Sequence, residues 1–201
     1  MEHLKSIWQS PLVDFRDAIE ARAMPGCGAA AAVSAGFGLA LVLKGLRLSD
    51  ARAPSAQRSG MIARGDALGD ALARLADEDV AVFENYLSAV KRSHGAPQRV
   101  EQRDDKTELE RAIESTCRVP LEIARACRDG LALSVEALPQ TAERLQSDTR
   151  AGARLLHAGL NAVLVGLADN LGDLADPELR DALDAERKAL LAGADGWLAR
   201  L

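Results

Sequence analysis

Leu68, Leu72, Leu75, Asp79, Phe83, Tyr86 and Val90 recur at steps of three and four residues. That spacing puts all seven on one face of a single helix, predicted from about Ser55 to Ser93. Punctuation divides the rest of the chain. Ser10-Pro11 offers an N-cap followed by proline at the first helical position, opening a helix that runs to about Arg22. Met24-Pro25-Gly26-Cys27-Gly28 interrupts it, and a second helix is expected from about Gly28 to Leu48. Gly28, Ala32, Gly36 and Ala40 form a fourfold strip of minimal side chains on that helix, a surface that admits another backbone closely. After a turn at Ser49 to Ser55 and the long third helix, Gly95-Ala96-Pro97 marks a loop to about Asp104.

The fourth stripe reads Leu109, Ile113, Cys117, Ile123, Cys127, Leu131 and Val135. Pro120 lies within it and is expected to kink or restart the helix by removing a backbone donor. A fifth helix is expected from Gln140 to Leu171, and a last amphipathic one, after Asp176-Pro177, suited to the bundle exterior or a second subunit. There is no repeat and no linker, so residues 1–201 read as one all-α domain, a multi-helix bundle with a buried Ala/Gly-rich central helix.

Composition narrows the function classes. Aromatic residues make up only 3% of the 201 residues, which disfavours a β-sandwich or barrel. The formal charge is −5 with Arg and Asp/Glu interleaved, leaving no basic face for a phosphate backbone and arguing against nucleic acid. Met24 to Leu43 carries no charge and approaches the ~20 residues of a membrane span. Its Ala/Gly content, and the acidic residues before it, fit a buried helix better than a span or a signal peptide. Cys27, Cys117 and Cys127 are an odd count with no CxxC pair, as expected of small packing residues in a reducing compartment, so a cytoplasmic address is expected. His3, His94 and His157 share no ligand spacing, and no metal site is expected.

One residue breaks the pattern. Asp79 sits on an otherwise apolar stripe, where a lone carboxylate must be paired, hydrated in a cleft, or kept for chemistry. An N-cap or an ion pair with an arginine such as Arg74 is the structural alternative. The Pro25-to-Gly28 turn reads either as a plain interhelix turn or as an anion cradle at a helix N-terminus. Ser147-Asp148 has the residue types of a helix N-cap.

Taken in order, these segments resemble the cyclodeaminase/cyclohydrolase family, which comprises the C-terminal domain of formiminotransferase-cyclodeaminase and the stand-alone methenyltetrahydrofolate cyclohydrolases. Leu12-Val13-Asp14-Phe15 through Ala23-Met24-Pro25-Gly26-Cys27-Gly28 is similar to the family's short helix and Pro-Gly-Gly-Gly turn, with Cys27 in place of the middle glycine. Asp79-Val80-Ala81-Val82-Phe83 resembles its Asp-x-x-Ala-Phe segment, Val119-Pro120-Leu121 its Val-Pro-Leu, and Ser147-Asp148 with Asn161 and Asn170 its Ser-Asp and Asn-rich region.

The resemblance implies a helical homodimer that takes a tetrahydrofolate derivative as substrate, with no tightly bound cofactor. It implies hydrolysis of 5,10-methenyltetrahydrofolate to 10-formyltetrahydrofolate, with Asp79 as base or charge stabiliser and Pro25, Gly26 and Gly28 shaping the pocket. Asp148 and Asn170 are then pterin contacts. Lys44, Arg47 or Arg52 would meet the anionic tail, because the family's lysine pair after the second helix is here Asp50-Ala51. Alternatives are the formiminotetrahydrofolate cyclodeaminase reaction, which releases ammonia, and a non-catalytic folate-binding or assembly protein on the same fold.

Overall fold

A computed structural model describes residues 6–95 and 101–201. All regular structure among them is helical: α1 (Leu12–Ala21), α2 (Cys27–Asp50), α3 (Ala56–Gly95), α4 (Glu101–Ala137), α5 (Gln146–Asn170) and α6 (Pro177–Leu198), with short 3-10 turns between some of them. Helices α2, α3, α4 and α5 form a closed ring in which each packs on its two neighbours. Arg64–Glu136 at 2.7 Å and Arg92–Glu108 at 2.6 Å tie the antiparallel α3 and α4 at both ends. Helix α6 lies outside the ring over α4 and α5, held by Arg125–Glu186 at 2.7 Å and by His157 Nε2, 2.7 Å from Asp195 Oδ1. The core is almost entirely aliphatic, led by Leu39, Leu46, Leu72, Leu131, Leu156 and Leu164.

The small residues of α2 do admit a second backbone, but on a different face from the predicted strip. Gly36 is half-buried and Ala40 exposed. The close approach runs through Ala31, Ala35, Gly38 and Gly45 against Gly159, Gly152 and Thr149 of antiparallel α5. A Cβ built on Gly38 would stand 2.6 Å from the Gly152 carbonyl oxygen, and one on Gly152 2.3 Å from that of Gly38. A Cβ on Gly36 meets only the Trp8 ring edge at 2.9 Å. A fourfold step drifts around a helix of 3.6 residues per turn, so the strip spelled by the sequence winds off the contact that the partner selects. Both α2 and the stretch Glu143–Asp173 are long and apolar enough to cross a membrane, by length and composition only. Here they are the two walls of this seam.

Other boundaries moved for identifiable reasons. Helix α1 starts one residue after Pro11, and Ser10 caps nothing; its hydroxyl donates back to the Ser6 carbonyl at 3.4 Å. Helix α4 begins at Glu101, inside the expected loop, while Ala96-Pro97 lie outside the described residues. Helix α5 begins at Gln146 rather than Gln140, because Pro139 and Thr141 sit in a 3-10 turn stitched to α2. There the Ser49 hydroxyl accepts the Ala142 N–H at 2.9 Å. Ser147 and Asp148 therefore fall in the first turn of α5 and cap nothing. Asp176 does cap α6, accepting from the Glu178 and Leu179 amides at 2.9 and 3.3 Å, with Pro177 as first helical residue.

Helix α4 runs unbroken through Pro120. The carbonyl that the missing donor orphans, that of Thr116, is taken instead by Asn170 Nδ2 at 2.9 Å. A side chain from a neighbouring helix thus replaces the lost ladder bond, and the helix continues past Pro120 without restarting.

Candidate active site

The N-terminus of α2 leaves its first amides without intrahelical partners. Gly26, the residue before the helix, offers no side chain to cap them. The cap comes from another helix: Asp79 of α3 accepts the Ala29 N–H through Oδ2 at 2.9 Å. Gly28 makes room for it. A Cβ there would stand 2.1 Å from Asp79 Oδ1 and 2.5 Å from Cγ, so any side chain at this position drives the carboxylate away. Capping, one of the alternatives weighed for Asp79, is thus met, with the cap supplied to α2 from another helix. Arg74 is engaged elsewhere, on Glu78 and Glu122.

Asp79 opens on a cavity of about 230 Å³. Gly26, Cys27 and Gly28 line one side, Val80, Val82 and Phe83 of α3 a second, and Thr116, Pro120, Val163, Gly166 and Asn170 close it from α4 and α5. The walls are mainly apolar. Burial pushes the Asp79 carboxyl above the usual carboxylate range, with the Ala29 hydrogen bond pulling the other way, and among the described residues no cation is paired with it. Cys27 Sγ faces α5 where a Cβ on Gly166 would come within 2.6 Å of it. Burial and the Asp79 charge raise its thiol. The other two cysteines are fully buried packing residues, their thiols pushed up by burial to about 11 at Cys117 and about 12 at Cys127.

Of the residues singled out from sequence, Asp79, Gly26, Gly28 and Asn170 come together in this cavity. Pro25 lines a wider adjoining groove of about 1010 Å³ between α1 and α3, which shares Ala23, Met24 and Val80 with the cavity. Lys44 and Asp148 are elsewhere. They pair with each other at 2.7 Å, near the opposite end of the α2–α5 seam, roughly 27 Å along the helix from Gly26 at 1.5 Å per residue. Arg47, bonded to Asp66, is at that far end too. An anionic tail extending from the cavity finds none of these cations. The adjoining groove offers Arg22 among Asp14, Asp17, Asp77 and Glu84. The reason is helix length: residues placed on one helix by sequence are separated by its rise. Among the described residues no group of three His, Cys, Asp or Glu gathers as a metal site.

Sequence reasoning missed Thr116 as part of the site and the link between Pro120 and Asn170. The available signal was the proline inside a helix, which leaves the carbonyl four residues earlier in need of a donor.

A ring of four antiparallel helices, with a carboxylate held over a glycine turn at one end, defines a helical-bundle protein with a small-molecule cavity. The same fold is found in a solved formiminotetrahydrofolate cyclodeaminase from Thermotoga maritima, with a TM-score of 0.84 and 22% identity over 96% of this chain and 94% of that one. The formiminotransferase-cyclodeaminase family model matches residues 11–189, and the chain belongs to that family. No curated protein sequence matches it.

Proposed function

We propose that the cavity receives the one-carbon-bearing end of a reduced folate and that Asp79 acts at the carbon bridging N5 and N10. The observation that carries this is a carboxylate with no cation beside it among the described residues, half-buried among apolar walls and fixed by a backbone bond, beside enough space for a heterocycle. Such a group favours a cationic ligand. The bridging carbon of 5,10-methenyltetrahydrofolate belongs to an amidinium cation, so placing it against Asp79 neutralises both. Water then adds to that carbon while Asp79 takes one of its protons. As the C–N5 bond breaks, Asp79 returns that proton to N5, and the remaining hydroxyl proton leaves to solvent as the formyl carbonyl forms on N10. The protein acts in this reading as a methenyltetrahydrofolate cyclohydrolase.

Family membership and the raised Asp79 favour a second reaction at the same carbon. In the cyclodeaminase reaction N10 attacks the formimino carbon and the C–N10 bond forms while the N10 proton passes to the imino nitrogen; the Asp79 carboxyl then supplies a second proton, the bond from carbon to that nitrogen breaks, and ammonia leaves the methenyl cation behind. Following the near-ultraviolet absorbance of methenyltetrahydrofolate, and ammonia release from formiminotetrahydrofolate, separates the two. Acceleration of one and its loss in Asp79→Asn supports that reaction. No acceleration of either, with the fold intact, rejects catalysis and leaves a binding or assembly protein.

The working unit in this reading is a cytoplasmic homodimer. Trp8 and Phe37, in edge-to-face contact at 5.7 Å, form an exposed apolar patch with Leu12 of α1, a helix without a buried residue. Sedimentation of the wild type and of Phe37→Asp tests it: the dimer is refuted by a monomeric wild type.

A further inference from the structure

Asn170 contributes one amide to the cavity wall, and its two ends are not equivalent. A backbone carbonyl only accepts, so the end that meets the Thr116 oxygen at 2.9 Å is the Nδ2 donor. In an ordinary helix the Thr116 carbonyl would be occupied by the N–H of residue 120. Here residue 120 is proline, inside α4, and has none. Turning the amide over would set Oδ1 against the carbonyl, two acceptors facing each other, and leave a shielded carbonyl orphaned. The orientation is therefore fixed by the backbone of a different helix.

We propose that Pro120 and Asn170 form a recognition unit: Pro120, the positioning residue, commits Asn170 Nδ2 to the Thr116 carbonyl, and Asn170 Oδ1 is thereby held as a hydrogen-bond acceptor that selects ligands presenting an N–H in the cavity. Asp79 is likewise an acceptor, so two polar side chains lining the same mainly apolar cavity both seek donors. The chemistry they fit is a heterocycle carrying ring N–H or amino groups, such as the donor edge of an aminopyrimidine ring. The inference rests on the folate reading above and adds to it which end of the amide is presented and what fixes it. It also accounts for Pro120 within α4, where a helix former would give the ladder its missing bond.

Pro120→Ala supplies the missing N–H, which competes for the Thr116 carbonyl and frees the amide to turn. Only the fraction of molecules with Oδ1 inward then binds as before, and apparent affinity falls in proportion. Calorimetric titration with 5-formyltetrahydrofolate should show three- to tenfold weaker binding for Pro120→Ala, without a loss of melting temperature. Asn170→Asp alone should bind poorly and melt lower, since a carboxylate cannot donate to Thr116. Pro120→Ala/Asn170→Asp should recover binding to within twofold of wild type, because residue 120 now satisfies the carbonyl while the aspartate keeps its acceptor. A merely structural proline predicts no such rescue. Wild-type binding with Pro120→Ala unchanged, or with the double variant as weak as Asn170→Asp, overturns the proposal and leaves the folate reading standing. A wild type that binds neither 5-formyltetrahydrofolate nor methenyltetrahydrofolate overturns both.

Discussion

Replacing Gly28 by alanine tests the joint that builds the cavity. The new Cβ would lie 2.1 Å from Asp79 Oδ1, whereas real Cβ contacts essentially never fall below 3.0 Å. The carboxylate must retreat by roughly 1 Å, enough to carry Oδ2 from 2.9 Å to the limit of a hydrogen bond with the Ala29 amide. A hydrogen bond to a charged group contributes about 1.5–3 kcal/mol, and alanine regains about 1 kcal/mol over glycine in a helix. The net loss is about 0.5–2 kcal/mol, or a fall in Tm of roughly 1–8 °C for a chain of this length. Thermal melts of Gly28→Ala, Asp79→Ala and the double variant measure it. With Asp79 truncated the clash is gone, so Gly28→Ala in that background should be neutral or stabilising. Gly26→Ala is the control: nothing lies within 4 Å of its Cβ, and its melt should not move. A Gly28→Ala protein that melts like wild type, or one that loses as much stability without Asp79 as with it, would show that the carboxylate is not seated on this glycine.

The seam between α2 and α5 gives a sharper steric contrast. Gly152→Ala pushes a methyl to 2.3 Å from the Gly38 carbonyl oxygen and should cost about 1–3 kcal/mol, whereas Gly36→Ala presses only on the Trp8 ring edge and should cost less; equal melts would misplace the seam. Thr149 has a fully buried hydroxyl with no hydrogen-bond partner among the described residues, so Thr149→Val should raise stability by about 1 kcal/mol in chemical denaturation, and a loss would reveal a partner. Asp79 is more easily protonated in the folded chain than in the unfolded one, so the folded state binds more protons between the two values. The stability this contributes is present below the unfolded carboxylate value and is lost as pH rises through the folded one. Asp79→Asn keeps an acceptor for the Ala29 amide and removes the titration, so its Tm advantage over wild type should widen from acid to neutral pH. A difference that stays flat across that range contradicts a raised Asp79.

The helical content, the breaks near Pro25 and Pro177, and the oddity of Asp79 were legible in the residues, because each is a local matter. Three- and fourfold apolar steps specify a helix face, proline and glycine punctuate the backbone, and a carboxylate on an apolar stripe demands a partner wherever it lies. The ordered short motifs added the family. What the chain alone could not specify is which partner each group meets. The small-residue strip on α2 was read in the wrong phase because the contact face is chosen by α5, not by the spacing of α2. Lys44 and Asp148, singled out with the cavity residues, lie at the far end of the seam by helix rise and pair with each other. Pro120 promised a kink or a restart and Asn170 a pterin contact, yet Asn170 reaches back across 54 positions of chain to the Thr116 carbonyl that Pro120 leaves without its donor. Local periodicity is encoded by neighbours within a turn or two, whereas caps, seams and orphaned acceptors are settled by residues distant in sequence, and only packing brings those together.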